Sequence, residues 1–92
     1  MSLGGWKIAD FVGVKLPQKV ASGFVAVTGE LIGADYQPIV LLATQVVNGT
    51  NYCVLATQKL ATANAEPRFV KIIFNEAPNG SFSLVSISGI AI

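Results

Sequence analysis

The side chains that could do covalent or acid–base chemistry are few and scattered in this 92-residue chain. It has no histidine, which removes catalysis by a serine or cysteine paired with histidine, and removes histidine-bearing metal sites. The single cysteine, Cys53, lies in an apolar stretch, where a buried small hydrophobic residue is expected rather than a reactive thiol. We therefore predict that the protein is not an enzyme and has no catalytic residue, metal or cofactor. The carboxylates are dispersed and form no motif: Asp10, Glu30, Asp35, Glu66 and Glu76.

Residues 45–52 carry a different signal, that of a hairpin with an apolar tip. Asn48-Gly49 lies between two apolar runs, and this pair is the strongest short-range hairpin signal because both residues accept the positive φ of a tight primed turn. Val46 and Val47 would lie beside the turn, where water reaches them. Exposed apolar tips usually mark a contact surface, so this stretch predicts binding rather than chemistry.

One helix is predicted over residues 17–31. Its apolar positions recur at spacings of four, three and four, which places them on one face, and Pro17 suits a first helical turn. Two glycines within it lower its intrinsic propensity, each by about 1 kcal/mol relative to alanine. We therefore expect packing on a sheet to hold the helix. Its apolar face is Val20, Phe24, Val27 and Leu31.

Five stretches have the composition of β-strands. Pro38 confines the start of the second one to an edge or a bulge, and the alternation of the last one slips near Val85, as at a β-bulge. Period-two alternation divides the side chains of the strands 50–60 and 68–75 between two faces. The strands are a short one containing Ile8, Phe11, Val12 and Val14, then 36–47, 50–60, 68–75 and 82–90. One face of the strand 50–60 is predicted to carry Tyr52, Val54 and Ala56. One face of the strand 68–75 is predicted to carry Val70, Ile72 and Phe74.

The order of these elements brings three separate segments to one end of the molecule. Antiparallel strands reverse at every turn, so Asn48-Gly49 and the second turn at Asn79-Gly80 lie at one end, and the loop 59–67 lies at the other. Gly4-Gly5 would begin at the same end as the two turns. A wedge of backbone and apolar side chains results, and such a wedge suits a groove.

The composition limits the partners of such a wedge. With 52% hydrophobic and 12% charged residues, the chain should fold, as a single domain spanning residues 1–92. Scattered charges that sum to +1 make nucleic acid and anionic membrane poor candidates. No apolar run approaches the roughly 18 to 20 residues that span a bilayer. A lone cysteine forms no internal disulfide, which favours a cytoplasmic protein, with a secreted one whose signal has been removed as the alternative.

The run Gln45-Val46-Val47-Asn48-Gly49 resembles the Gln-x-Val-x-Gly signature of cystatins, which inhibit papain-like cysteine proteases. The continuation Thr50-Asn51-Tyr52 is similar to theirs as well. The resemblance covers nearly the whole chain and is closest to the disulfide-free stefins and plant forms. It includes Gly4-Gly5 before Trp6, the helix pattern Ala21-x-x-Phe24-x-Ala26-Val27, and Pro78 in the second hairpin.

The resemblance implies an α+β fold in which an antiparallel sheet of about five strands wraps around one helix. It also implies a reversible, tight-binding inhibitor that occludes the cleft of a papain-like cysteine protease and is not cut. Residues 1–5 would form a flexible trunk. The protein would be a monomer, with a domain-swapped dimer as a second form if the strained first turn opens. The implied protease-binding residues are Gly4, Gly5, Gln45, Val46, Val47, Asn48, Gly49, Pro78 and Asn79.

Two features depart from a simple inhibitor. Asn79 stands where many secreted cystatins have tryptophan, which weakens the expectation for that contact. Asn48-Gly49-Thr50 and Asn79-Gly80-Ser81 are both N-glycosylation acceptor patterns, and a glycan at either tip would block entry to a cleft. One alternative is therefore a cystatin-fold binding or assembly module without inhibitory activity, whose tips contact another copy. Another is a protein that binds a small molecule in an apolar pocket under the helix.

Overall fold

One helix packed on an antiparallel sheet makes up the described part of the chain. The computed structural model describes residues 2–3, 5–9 and 15–91. Strand order in the sheet follows chain order, and each neighbouring pair is antiparallel. The predicted α+β architecture is confirmed, with five strands and an additional two-residue strand at the N-terminus. The elements are β1 (Ser2–Leu3), β2 (Trp6–Ile8), α1 (Gln18–Thr28), β3 (Ala34–Val47), β4 (Gly49–Leu60), β5 (Arg68–Glu76) and β6 (Phe82–Gly89).

The four predicted strands after the helix are confirmed with different ends, and the first predicted strand is confirmed only at Ile8. β3, β4 and β5 each extend one or two residues beyond the predicted bounds. The predicted loop 59–67 is shorter, because β4 continues to Leu60. β1 was not predicted, since two residues show no periodicity. Of the predicted first strand, Ile8 lies in β2, whereas Phe11, Val12 and Val14 lie outside the described residues.

Helix α1 is shorter than the predicted 17–31 at both ends. Pro17 precedes the first helical residue as its N-cap, with an extended ψ of 143°, and its carbonyl accepts the Ala21 N–H at 2.9 Å. At the other end, Thr28 is the last helical residue and the Gly29 N–H donates to the Val25 carbonyl at 2.8 Å. The predicted apolar face is correct: Val20, Phe24 and Val27 are buried and Leu31 is half-buried.

Gly23 is the point at which the helix comes closest to the sheet. A Cβ atom built on it would lie 2.5 Å from the Phe82 ring and 2.8 Å from the Phe74 ring. Real Cβ atoms do not approach carbon atoms so closely, so only glycine permits this separation. The glycine that weakens the isolated helix therefore allows the packing that holds it in place.

The core lies between α1 and the helix-facing side of β4, β5 and β6. Alternation in β4 and β5 is as predicted, and each face is fully buried except for the Tyr52 ring, which is 8% exposed. Phe74 joins two aromatic neighbours, Tyr52 at a centroid distance of 5.5 Å and Phe82 at 6.1 Å, in the tilted and edge geometries that aromatic pairs prefer. The residues that these two strands contribute to the core under the helix are Tyr52, Val54, Ala56, Val70, Ile72 and Phe74.

Two bulges occur where the sequence predicted irregular strands, and a further one in β3, at Leu42, was not predicted. In β3 the register shifts just after Pro38, leaving Ile39 without a partner on β4. β2 pairs with β3 only at residues 43–45, so among the described residues no strand covers the outer edge beside Pro38. In β6, Ser86 pairs with Ile73 and Leu84 pairs with Phe74, so Val85 is the extra residue. No helix in the described part of the chain is long and apolar enough to cross a membrane.

Replacing Gly23 with alanine should destabilise the protein although it raises helix propensity. The added methyl group must displace the Phe74 and Phe82 rings, and overpacking of this kind costs about 1 to 3 kcal/mol. Urea denaturation measures the change in the free energy of unfolding. Ser22→Ala, at an exposed position on the same helix, is the control and should change it by less than about 0.5 kcal/mol. Equal stability of G23A and wild type would contradict the close approach.

Candidate functional site

The first hairpin turn lies between β3 and β4 and projects from the end of the sheet. Pairing continues to Val47 and Gly49, which leaves Asn48 alone at the tip. Gly49 has a φ of +96°. Asn48 does not have a positive φ, because Asn64 is the one described non-glycine residue that does. The predicted primed turn, with positive φ at both Asn48 and Gly49, is therefore wrong. Because the ladder runs up to the tip, a single left-handed residue reverses the chain.

The tip of this hairpin is apolar and open to water. Val46 is 84% exposed and Val47 is 44% exposed, and Asn48 is also exposed. The two valines point to opposite faces of the strand, since neighbouring residues alternate across a sheet. The tip thus presents apolar surface on both sides.

The second turn joins β5 to β6 and is closed by hydrogen bonds. The Ala77 N–H donates to the Ser81 carbonyl, and the Gly80 N–H donates to the Ala77 carbonyl, both at 2.8 Å. Gly80 has a φ of +88°, as expected where a three-residue loop ends in a left-handed residue. The Asn79 Oδ1 accepts from the Ser81 backbone N–H at 3.1 Å and from its Oγ at 2.8 Å. Pro78 and Asn79 are exposed at the apex of an ordered turn.

The two turns meet backbone to backbone at Gly49. A Cβ atom built on Gly49 would overlap the Glu76 carbonyl oxygen and would lie 3.1 Å from the Ala77 Cα. Because Thr50 pairs with Glu76, the first turn lies directly beside the start of the second. Glycine is required here for two reasons, its positive φ and the absence of space for a side chain.

The N-terminal segment lies beside the first hairpin. Trp6 pairs with Gln45, and a Cβ atom built on Gly5 would lie 3.4 Å from the Gln45 Nε2. Gly5 has a φ of +85°. Gly4, the other predicted trunk residue, lies outside the described residues. The structure thus brings Gly5, residues 45–49 and residues 77–80 to one end of the sheet, and we call this group of three segments the turn edge.

A ladder of side-chain amides supports the turn edge on the sheet face opposite the helix. The Asn75 Nδ2 donates to the Asn51 Oδ1 at 2.9 Å, and the Asn51 Nδ2 donates to the Gln45 Oε1 at 3.0 Å. The three residues are direct cross-strand partners on β3, β4 and β5. Sequence analysis assigned no role to Asn51 or Asn75. Counting back from the turn would have paired Gln45 with Asn51, but nothing in the sequence fixes the register of Asn75.

Glu76 connects the turn edge to the helix on the other face. Its Oε1 accepts from the Tyr52 hydroxyl at 2.8 Å, and its Oε2 lies 3.4 Å from the Lys19 Nζ. Burial of the Tyr52 ring, reinforced by the hydrogen bond to Glu76 and its negative charge, raises the pKa of Tyr52 to about 12. This group was not predicted from the sequence either, because its members are far apart in the chain.

The described residues provide no cluster of metal-binding side chains and one buried thiol. Among the described residues, no group of three or more histidine, cysteine, aspartate or glutamate side chains could hold a metal ion. Cys53 is buried, as predicted, and its burial raises the pKa of the thiol, an effect that the charge of Lys71 partly opposes. A thiol with a raised pKa carries little thiolate and is a poor nucleophile.

Comparison with known proteins gives no family for this chain. No protein-family model matches it, and no curated protein matches it either. The likeness to cystatins therefore depends on the sequence motifs and on the α+β arrangement alone.

Alanine at Gly49 should destabilise the protein more than alanine at Gly80. Both residues have positive φ, which costs a non-glycine residue about 1 to 3 kcal/mol. Only Gly49 would also bring a methyl group into the neighbouring backbone, whereas a Cβ atom on Gly80 meets nothing within 4 Å. We expect G49A to lose at least about 1 kcal/mol more than G80A, as an overpacked contact does. Equal losses in urea denaturation would show that the two turns are not packed together.

The stability of the protein should fall between about pH 10, the ordinary pKa of tyrosine, and about pH 12. In this window the unfolded state has released the Tyr52 proton and the folded state still holds it, so rising pH favours unfolding. Tyr52→Phe should remove this part of the pH dependence, and the difference between the two proteins cancels the titration of lysines. Free energies of unfolding measured across the window test this. Parallel curves for Y52F and wild type would contradict the buried tyrosine–glutamate pair.

Proposed function

We propose that the protein is a reversible, tight-binding inhibitor of papain-like cysteine proteases, and that it inserts the turn edge into the active-site cleft. The observation that carries this proposal is the backbone contact of Gly49 with Glu76 and Ala77, which sets an exposed valine tip beside a second exposed turn. The cystatin-like signature falls on that tip. Gly5 borders the same surface and extends it toward the N-terminus.

The turn edge offers apolar area at a low cost in conformational entropy. Val46 and Val47 each have one side-chain dihedral to fix, and burying a valine fully yields roughly 1.5 to 3 kcal/mol. The amide ladder and the Gly49 contact already hold the backbone of the tip. Preorganisation of this kind improves affinity because little freedom is lost on binding.

The same geometry supports the proposal that the hairpin is not cut. A protease cuts a segment that lies extended in its cleft, whereas the first turn reverses direction within one residue and contains a left-handed glycine. Extending it would break the contact between Gly49 and Glu76. We infer that the hairpin enters the cleft as a folded wedge and that no scissile bond reaches the catalytic thiol.

Inhibition requires that both turns carry no glycan. Asn48 and Asn79 are exposed, so neither acceptor pattern is shielded by the fold. An inhibitor of this kind would act in a compartment without N-glycosylation, and the cytoplasm favoured by the lone cysteine satisfies that condition.

A second candidate, an assembly module, has a separate observation in its favour. β6 is an edge strand whose outer side has no strand partner among the described residues, and no charged residue follows Glu76 in the sequence. Uncharged edge strands pair readily with other chains.

We expect a monomer, with a domain-swapped dimer forming if the first hairpin opens, and size-exclusion chromatography after brief heating separates the two. A dimer that inhibits papain as well as the monomer would show that the hairpin had stayed closed. The exposed apolar residues on β6 and directly after it are Leu84, Val85 and Ile90.

Val47→Asp should weaken inhibition without unfolding the protein. A carboxylate brought into a largely desolvated contact costs at least roughly 2 kcal/mol, about thirtyfold in the inhibition constant. Titration of active papain with wild-type and variant protein measures the change. Val25→Asp, at a position on the outer face of the helix that is 66% exposed, is the matched control and should inhibit as wild type does. Full activity of papain and its relatives in high micromolar wild-type protein would defeat the proposal.

A further inference from the structure

The two turns of the turn edge carry the same dipeptide in different chemical settings. Each turn contains Asn-Gly, at 48–49 and at 79–80, and both asparagines are exposed to water. Glycine after asparagine leaves the following backbone nitrogen unshielded by a side chain. In such a pair that nitrogen can attack the carbonyl carbon of the asparagine side chain.

At the second turn both reacting groups are occupied. The Asn79 Oδ1 accepts two hydrogen bonds from Ser81, at 3.1 and 2.8 Å, which hold the side-chain amide in place. The Gly80 N–H donates to the Ala77 carbonyl at 2.8 Å. Attack at this turn would have to break these bonds first.

At the first turn the side chain is free to rotate. Within the described ranges, no hydrogen bond restrains the Asn48 side chain, which stands alone between the last paired residues of β3 and β4. We propose that Asn48 is a site of spontaneous deamidation, and that the reaction places a carboxylate on the apolar tip and so limits the lifetime of the binding surface. The consequence for binding rests on the proposed function, whereas the reaction itself does not.

The chemistry needs only water. The Gly49 nitrogen forms a bond to Cγ of Asn48 and gives its proton to solvent, while the amide nitrogen takes up a proton and leaves as ammonia, which closes a five-membered succinimide. Water then opens the ring. Attack at Cγ gives aspartate, and attack at the backbone carbonyl carbon gives isoaspartate, whose main chain runs through the former side chain. One water is consumed and one ammonia released, with no oxidation or reduction.

Both products should damage the turn edge, in different ways. Aspartate adds one negative charge beside Val47, which lowers the net charge of the protein from +1 to zero and must be desolvated on binding. Isoaspartate adds a backbone atom next to Gly49, whose backbone already touches Glu76 and Ala77. It should therefore also separate the two turns.

The experiment is to incubate the folded protein at mildly alkaline pH and to follow both asparagines by peptide mass mapping, where each deamidation adds about one mass unit. We expect the peptide containing Asn48 to convert several-fold faster than the peptide containing Asn79. In urea the two rates should converge, because the hydrogen bonds at the second turn are then lost. Asn48→Gln should abolish the fast conversion and Asn79→Gln should leave it unchanged. Equal rates in the folded protein, or faster conversion of Asn79, would overturn the proposal.

A second measurement separates this proposal from the proposed function. Each protein is assayed against papain before and after incubation, and its aged activity is divided by its own fresh activity. Wild type should lose inhibition in proportion to conversion at Asn48, and N48Q should keep its starting value. If fresh wild type does not inhibit papain, the proposed function fails and the mass data alone decide the deamidation. Full inhibition by protein that has converted at Asn48 would refute the effect on binding.

Discussion

The contact between Gly23 and the Phe74–Phe82 pair is the constraint on which the rest of this structure depends. Helix α1 has no side-chain N-cap bond and contains glycine and β-branched residues, so it would not persist alone. Seated on the aromatic pair, it buries Val20, Phe24 and Val27 and covers one face of the sheet. The covered sheet carries both turns at one end.

Strand pairing in that sheet determines the geometry of the turn edge. The pairing of β4 with β5 places Gly49 against Glu76, and Glu76 in turn reaches Tyr52 and, through Lys19, the first turn of the helix. On the opposite face the amide ladder links β4 and β5 again and adds β3. The exposed valines therefore stand on a base fixed from both sides of the sheet, which is what a preorganised wedge requires.

Much of the fold could be predicted because its signals are local. Alternation in 68–75 placed Val70, Ile72 and Phe74 on one face, Pro38 and Val85 marked irregular strands, and the helical spacing gave the correct buried face of the helix. The turn type was wrong because it depends on how far the strand ladder continues, which a dipeptide does not encode. The amide ladder and the tyrosine–glutamate pair were missed because both depend on the register across the 61–67 loop, whose length does not fix it.

The placement of both turns at one end of the sheet could be inferred from the sequence, whereas the packing around them could not. Antiparallel strands reverse direction at every turn, so the order of the elements alone places residues 45–49 and 77–80 at the same end. Three properties depend on packing. Gly49 touches the Glu76 carbonyl, and Ser81 holds the Asn79 side chain by hydrogen bonds. No described residue holds the Asn48 side chain. These properties separate a hairpin that merely connects two strands from one that can serve as a wedge.

The most direct measurement is amide hydrogen exchange of the protein, alone and in the presence of excess papain. Exchange reports which backbone amides lose access to water on binding, one segment at a time. If the turn edge enters the cleft, protection should rise at Gly5, at 45–49 and at 77–81, and should stay unchanged in the 61–67 loop and on the outer face of α1. Protection confined to β6 or to the 61–67 loop, with both turns exchanging as in the free protein, would contradict the proposed site.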